Sequence, residues 1–268
     1  MLNDLDPGNL ERAAERVRTA ESGVEVIAIH GSFSELPAKL ASRGIKADCF
    51  LADLGFASNQ VDDPERGLSF KQDGPLDMRL DPTQGVTAAD LIRDLPEEEL
   101  ADLIFRYGEE RLSRRIAQKL VEARLNGPIL TTSRAASIIR SAFPASMARS
   151  SRIDPATRTF QALRIAVNGE LEHIERLLGS IGKESQRIAT RTDGEGWLSS
   201  GARVGIIAFH SLEDRPVKQA FVDFASRDLV GRLTKKPITA GDSEAATNPR
   251  ARSAKLRGIR VAGARDSG

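Results

Sequence analysis

An imidazole, a hydroxyl, two carboxylates and a guanidinium crowd one short stretch, Ala208-Phe209-His210-Ser211-Leu212-Glu213-Asp214-Arg215. The apolar run Val204-Gly205-Ile206-Ile207 before it reads as a buried strand. Val217 to Phe221 after it carries helical spacing. The stretch is therefore a strand-to-helix turn, and in an open α/β sheet ligands bind at the carboxyl ends of strands. His210, Glu213 and Asp214 are groups that can hold a polar ligand atom or take its proton. They can equally hydrogen-bond one another and brace the corner.

Other strand ends carry similar groups. Asp4 closes a short apolar start, where a carboxylate can accept two ribose hydroxyls of a nucleoside ligand. Asp53 ends the strand that starts at Ala47, and Gln60 follows on the next loop; an amide there can donate and accept at once. Asp6 suits a cap for the helix that follows. The carboxylates at 62, 63, 65, 73, 77 and 81 are dense enough to raise a hard-cation site. Arginines are interleaved among them, and Gly67, Gly74 and Pro75 punctuate the run, so a loop of ion pairs and turns is expected and no metal. There is no GxSxG elbow and no Walker A loop, which sets aside the usual serine hydrolase and P-loop readings.

Four ordered blocks carry a resemblance. They are FHSLEDR at 209–215; the run from Asp53 through Asp62-Asp63-Pro64-Glu65-Arg66-Gly67 to Asp81-Pro82; Arg158 to Asn168, containing Phe160-Gln161 and Arg164; and Asn248-Pro249-Arg250 to Arg257. Together they resemble the ribosomal RNA small subunit methyltransferase H (MraW) family. The resemblance implies transfer of a methyl group from S-adenosylmethionine to N4 of a cytosine in the decoding region of 16S rRNA. The implied partner is 16S rRNA or the small ribosomal subunit. It also implies that Asp4, Phe33, Asp53 and Gln60 bind the cofactor, with Phe33 on the adenine and Asp53 on the methionine ammonium. His210, Glu213 and Asp214 would form the catalytic wall facing the base. The implied fold is α/β, a Rossmann-like methyltransferase sheet with an inserted all-helical domain. The family opens with a strand, a Gly-rich loop of the type DGTFGRGGH and a helix, and the sequence lacks them. The expectation is an N-terminally truncated sheet, short by roughly 30 residues, one βα unit. A remnant that binds RNA or ribosome without catalysis is the alternative.

Composition is neutral on partners as a whole and uneven in detail. The 268 residues carry a formal charge of +1, so no global pull on RNA exists. Yet residues 134–164 hold six arginines against Asp154 alone, and residues 227–265 hold ten Lys/Arg against three acids. Such patches can neutralise phosphates. The single Cys49 rules out a disulfide framework and reads as a small buried hydrophobe. His173, on a charged helix face, reads as exposed. No apolar run approaches the ~20 residues of a membrane span, and a cytoplasmic protein is expected, with oligomeric state open and a homodimer among the options.

The elements fall into three stretches. Residues 1–83 alternate helix and strand: a helix over 10–20, a strand over 24–29, a helix over 36–43 and a strand over 47–51. Residues 84–156 carry helices over 87–95, 97–107, 109–123 and 133–142 with no convincing strand, and form the expected helical insert for RNA recognition. Residues 157–268 return to the sheet through one helix over 159–178, the strand at 204–209, a polar loop over 236–249 and a last strand within 252–261.

Overall fold

Strands and helices alternate at both ends of the chain, and helices alone fill its middle. A computed structural model describes residues 1–20, 23–144, 147, 153–192 and 196–263. The chain opens with β1 (Leu2–Asp4), α1 (Pro7–Ala20), β2 (Ala28–His30), α2 (Leu36–Ala41) and β3 (Ala47–Asp53). Then come α3 (Ser58–Asp62), α4 (Ala88–Asp94), α5 (Glu97–Gly108), α6 (Ser113–Leu125), α7 (Thr132–Ser141) and α8 (Thr157–Asn168). The last part is α9 (Glu170–Ala189), β4 (Leu198–Ala208), α10 (Ser211–Ser226), β5 (Val230–Arg232), β6 (Ile238–Thr239), α11 (Asp242–Thr247) and β7 (Lys255–Val261).

Contacts divide this chain into a sheet unit, Met1–Gly55 with Leu171–Gly268, and a helical unit, Phe56–Glu170. The helical unit is wider than residues 84–156. It takes in the acidic loop before α4 and all of α8, because α8 packs on α4 and α5. Gly108 permits that closeness: a Cβ there would lie 2.7 Å from the Arg158 carbonyl.

In the sheet unit β1 pairs parallel with β2, and β3 pairs parallel with β4. β7 then runs antiparallel between β4 and β5, with β6 against its start. Among the described residues β1–β2 and β3-β4-β7-β5 are two separate sheets. On β3, Phe50 and Ala52 point into the apolar core with Ile206, Val204 and Ile259, under Leu177 and Ile181 of α9 and Phe221 of α10. The opposite face of β3 is open: Leu51 is 63% exposed. Cys49 shares that face and is exposed rather than buried, because pleat alternation puts 49 and 51 together.

Local chemistry sets the element ends. Asp6 accepts from the N–H groups of Gly8 and Asn9 at 2.8 and 3.1 Å and so caps α1. Thr87 and Asp90 form a reciprocal capping box at α4. At α7 the cap is Thr131, which accepts from Arg134 N–H. The single helix expected over 159–178 is two, since Gly169 adopts φ 56° and ends α8. The polar segment 236–249 is not bare loop; it holds β6 and α11.

The helical unit closes around one ion pair. Arg164 Nε and Nη2 donate to Glu170 at 2.6 and 2.8 Å, both side chains about 10% exposed, with Phe56 stacked 4.4 Å from the guanidinium. The acidic loop is ordered as expected. Asp77 grips Arg79 in two bonds, and Arg66 donates to the carbonyls of Arg79 and Leu80. Asn168 ties Met78 and Leu80 to the end of α8. Replacing Glu170 with alanine strands the buried guanidinium, and such losses cost about 3 kcal/mol. Glu170→Ala should lower the urea midpoint accordingly, and adding Arg164→Met should recover part of the loss. An unchanged midpoint in the single variant would show the pair to be dispensable.

Candidate functional site

The turn after β4 is held by its own carboxylates. β4 ends at Ala208 and α10 begins at Ser211, with His210 at the N-cap in extended conformation. The first N–H groups of a helix and of the turn before it have no helical acceptor. Glu213, third residue of the helix and 1% exposed, supplies one: Oε2 accepts from Phe209 N–H at 2.8 Å and from His210 N–H at 3.4 Å. Its Oε1 lies 3.3 Å from His210 Nε2. A buried acid there also sits in the favourable field of the helix start.

Asp214 points elsewhere. Arg257 of β7 donates to it through Nε at 2.6 Å and Nη2 at 3.0 Å, and Lys255 Nζ stands 3.7 Å away. The Arg257 hydrogen bonds hold the Asp214 carboxyl below the usual aspartate range, against the opposing effect of burial. So the structure brings His210, Glu213 and Asp214 together, with Glu213 facing the turn backbone and the imidazole, and Asp214 facing β7.

Asp53 stands one strand away. It ends β3 opposite Ile207 of β4, and Leu54 N–H continues the ladder to the Ile207 carbonyl. Gly55 then passes close to the Phe209 ring, which a Cβ would meet at 3.7 Å. The Asp53 side chain has no ion-pair or hydrogen-bond partner among the described residues. Desolvation pushes its carboxyl upward, although the residue keeps open surface. Asp4, at the end of β1, is likewise pushed up by burial, partly offset by the bond from Asp6 N–H at 2.8 Å. Both acids thus stand at carboxyl ends of parallel strands.

Phe33 follows β2 and packs edge-on against His173 of α9, centroids 6.0 Å apart. His173 is half-buried rather than exposed, and Ser34 Oγ meets its Nδ1 at 2.9 Å. Ser32 continues the chain to Ser34 at 3.0 Å. Asn3 donates to the carbonyls of Ile29 and Gly31 and locks β1 to the β2 turn. Sequence reasoning did not single out Ser32, Ser34 or Asn3. Ser34 and His173 lie 139 positions apart, which leaves no local pattern to read. Gln60 belongs to the helical unit; it is buried, and its side-chain oxygen accepts from Ala57 N–H at 2.7 Å at the start of α3.

The two basic stretches differ in kind. In the first, Arg140 grips Asp154, Arg164 grips Glu170, and Arg134 and Arg158 donate to carbonyls; Arg149 and Arg152 lie outside the described residues. In the second, Arg257 holds Asp214 and Arg227 holds Asp223, and Arg265 lies outside the described residues. No helix among the described residues is long and apolar enough to cross a membrane.

The model of the MraW methylase family matches residues 1–262. Ribosomal RNA small subunit methyltransferase H of Sorangium cellulosum is 48% identical over 261 residues, 97% of this chain and 77% of the relative. The protein of that name from Geobacter sulfurreducens is 47% identical over 270 residues, 95% of this chain and 82% of the relative. The one from Granulibacter bethesdensis is 43% identical over 274 residues, covering 96% and 76%.

The Asp214–Arg257 pair has a pH signature. An aspartate whose folded-state pKa lies below its unfolded value, about 4, adds stability that is fully present above that value. The contribution disappears as pH falls through the folded-state pKa. Asp214→Asn should cost about 2 kcal/mol at neutral pH. The gap to the unsubstituted protein should close as denaturation is followed from pH 6 towards 3. A gap constant across that range would mean that Arg257 does not hold Asp214 charged.

Proposed function

We propose, for a chain that belongs to the MraW methylase family, that it methylates RNA of the small ribosomal subunit at N4 of a cytosine in the decoding region of 16S rRNA. The methyl donor is S-adenosylmethionine and the working compartment is the cytoplasm. The observation that carries the reading is Asp53: an acid without an ion partner among the described residues, desolvated at a strand end, one strand from the His210 turn. Its chemistry fits the ammonium of the donor's methionine part. Asp4, also desolvated, fits the paired hydroxyls of the ribose. Phe33 offers a ring held in place by His173, suited to an adenine face. Gln60 rests as a cofactor contact on the resemblance alone. The sheet and helical units would be a Rossmann-like methyltransferase domain and a helical insertion used in RNA recognition.

The donor would supply an electrophilic methyl on a sulfonium that leaves as a neutral thioether. The chain's residues then have two tasks. They must hold the exocyclic amine in line, because its lone pair is delocalised into the ring and orientation supplies much of the rate. They must also hold the proton that the nitrogen loses as the new N–C bond forms. His210 would serve both, and the closeness of its ring to Glu213 supports this reading. Glu213 fixes the turn backbone and steadies the imidazole. Asp214, paired to Arg257, acts on this reading through the corner it braces. A base presented this way must leave the RNA stack. The non-catalytic remnant has no observation in its favour.

Asp53→Asn should weaken donor binding at least tenfold, about 1.4 kcal/mol, by titration calorimetry. His210→Ala should lower kcat for methyl transfer to small-subunit RNA by about a hundredfold or more, with donor affinity nearly unchanged. Mass spectrometry of the digested RNA would locate the methyl group. Were His210→Ala to lower only the melting temperature and leave turnover of the folded protein intact, His210 would be a corner brace.

A further inference from the structure

Beyond the turn, α10, β5 and β7 enclose a notch into which cations converge and no acid does. Lys218 of α10, Arg232 of β5, Lys235 and Arg257 of β7 line it. Arg257 is neutralised by Asp214. Lys218, Arg232 and Lys235 have no ion-pair partner among the described residues. All three are exposed, and they come from separate segments of the chain. The backbone of Arg232 is set by the pairing of β5 with β7. Lys235 follows a loop pinned to β7: Leu233 N–H and Thr234 N–H donate to the Gly258 carbonyl, and Gly258 N–H donates to Thr234 Oγ1 at 3.1 Å. Three like charges brought together by rigid elements repel one another, a cost that a bound anion removes.

We propose that this notch is a phosphate-binding site for single-stranded RNA, gripping the backbone a few nucleotides from the base presented to His210. The proposal rests on the RNA methyltransferase reading for its orientation and on the unpaired cations for its chemistry. Lys218 lies eight residues along α10 from His210, about 12 Å at the helical rise, on the face that Asp214 begins. A strand leaving the turn along α10 would therefore bring its phosphates over Lys218 and then Arg232 and Lys235. Free phosphate shares the same chemistry, and the test below separates it from RNA.

The test uses the full chain and a fluorescein-labelled single-stranded RNA that spans the target cytosine. Binding is followed by anisotropy between about 50 and 200 mM salt. Each single-strand phosphate contact adds about 0.7 to the slope of log affinity against log salt. The triple variant Lys218→Ala/Arg232→Ala/Lys235→Ala should therefore lose about 2 from that slope. Its KM for small-subunit RNA should rise at least tenfold, with kcat and donor affinity unchanged. Arg12→Ala, which removes one exposed cation from α1, should leave the slope as it was. Inorganic phosphate at millimolar concentration should compete weakly; competition as strong as that of RNA would make the site one for a free anion and overturn the proposal. A triple variant with unaltered slope and KM would overturn it too. If the slope falls in a protein that transfers no methyl to RNA, the notch stands and the enzyme reading falls. Intact transfer with an unaltered slope leaves the enzyme reading standing and removes the notch.

Discussion

A half-buried turn must satisfy its own backbone, and in this chain Glu213 does it. The strand β4 delivers Phe209 and His210 to a place where their N–H groups face protein, and the helix that follows cannot accept from them. An apolar side chain in place of Glu213 would leave those donors unmet, each at a cost of about 1–3 kcal/mol. The carboxylate therefore fixes the turn, and the turn fixes His210. The next residue extends the restraint in another direction, since Asp214 fastens the first turn of α10 to Arg257 on β7. Two adjacent acids thus hold one corner from two sides, and the imidazole between strand and helix inherits their rigidity.

That arrangement depends on the register of an antiparallel strand. Arg257 stands opposite Ile206, and Lys255 opposite Ala208, on the face that also carries Ile259 and Val261 into the core. A slip of one residue would send Arg257 to the opposite face, where Leu256 now lies, and leave Asp214 without its partner. The same register sets Gly258 where Leu233 and Thr234 dock, so the notch and the corner share one determinant. A parallel strand at this position would have needed a crossover to return beside β4. β7 avoids one by reversing direction from β6 and α11.

Strand ends were legible in the sequence; pairings were not. Asp4, Asp53 and the 209–215 turn stand where apolar runs stop, and the structure puts all of them at carboxyl ends of strands. Helices α4 to α7 were readable from spacing, since their periodicity and caps are local. What failed was non-local. A count of arginines over 134–164 does not show that Arg164 is buried against Glu170 or that Arg140 pairs with Asp154. Gly169 broke a helix that apolar periodicity had joined, because its effect is conformational and leaves the spacing intact. Cys49 was misplaced because one open sheet face cannot be read from composition. The partner of Asp214 lies 43 positions away and that of His173 139, and no periodicity spans such gaps.

Three aspartates of the sheet unit, Asp4, Asp53 and Asp214, sort themselves by charge balance. Asp214 is held low by Arg257, so its charge is already spent on the fold. Asp4 and Asp53 are pushed up by desolvation, Asp53 with no ion partner among the described residues to restore it. A carboxyl whose folded-state pKa is raised withdraws stability as pH rises through its ordinary range, because the folded protein prefers the proton. Such a position is retained at a cost, and a cation or a pair of hydroxyl donors from outside reverses its sign. The acid paired to Arg257 therefore braces the scaffold, and on the proposed function the two desolvated acids serve the ligand. This division follows from environment: Asp4 and Asp53 close strands, while Asp214 sits in the first turn of α10 within reach of β7.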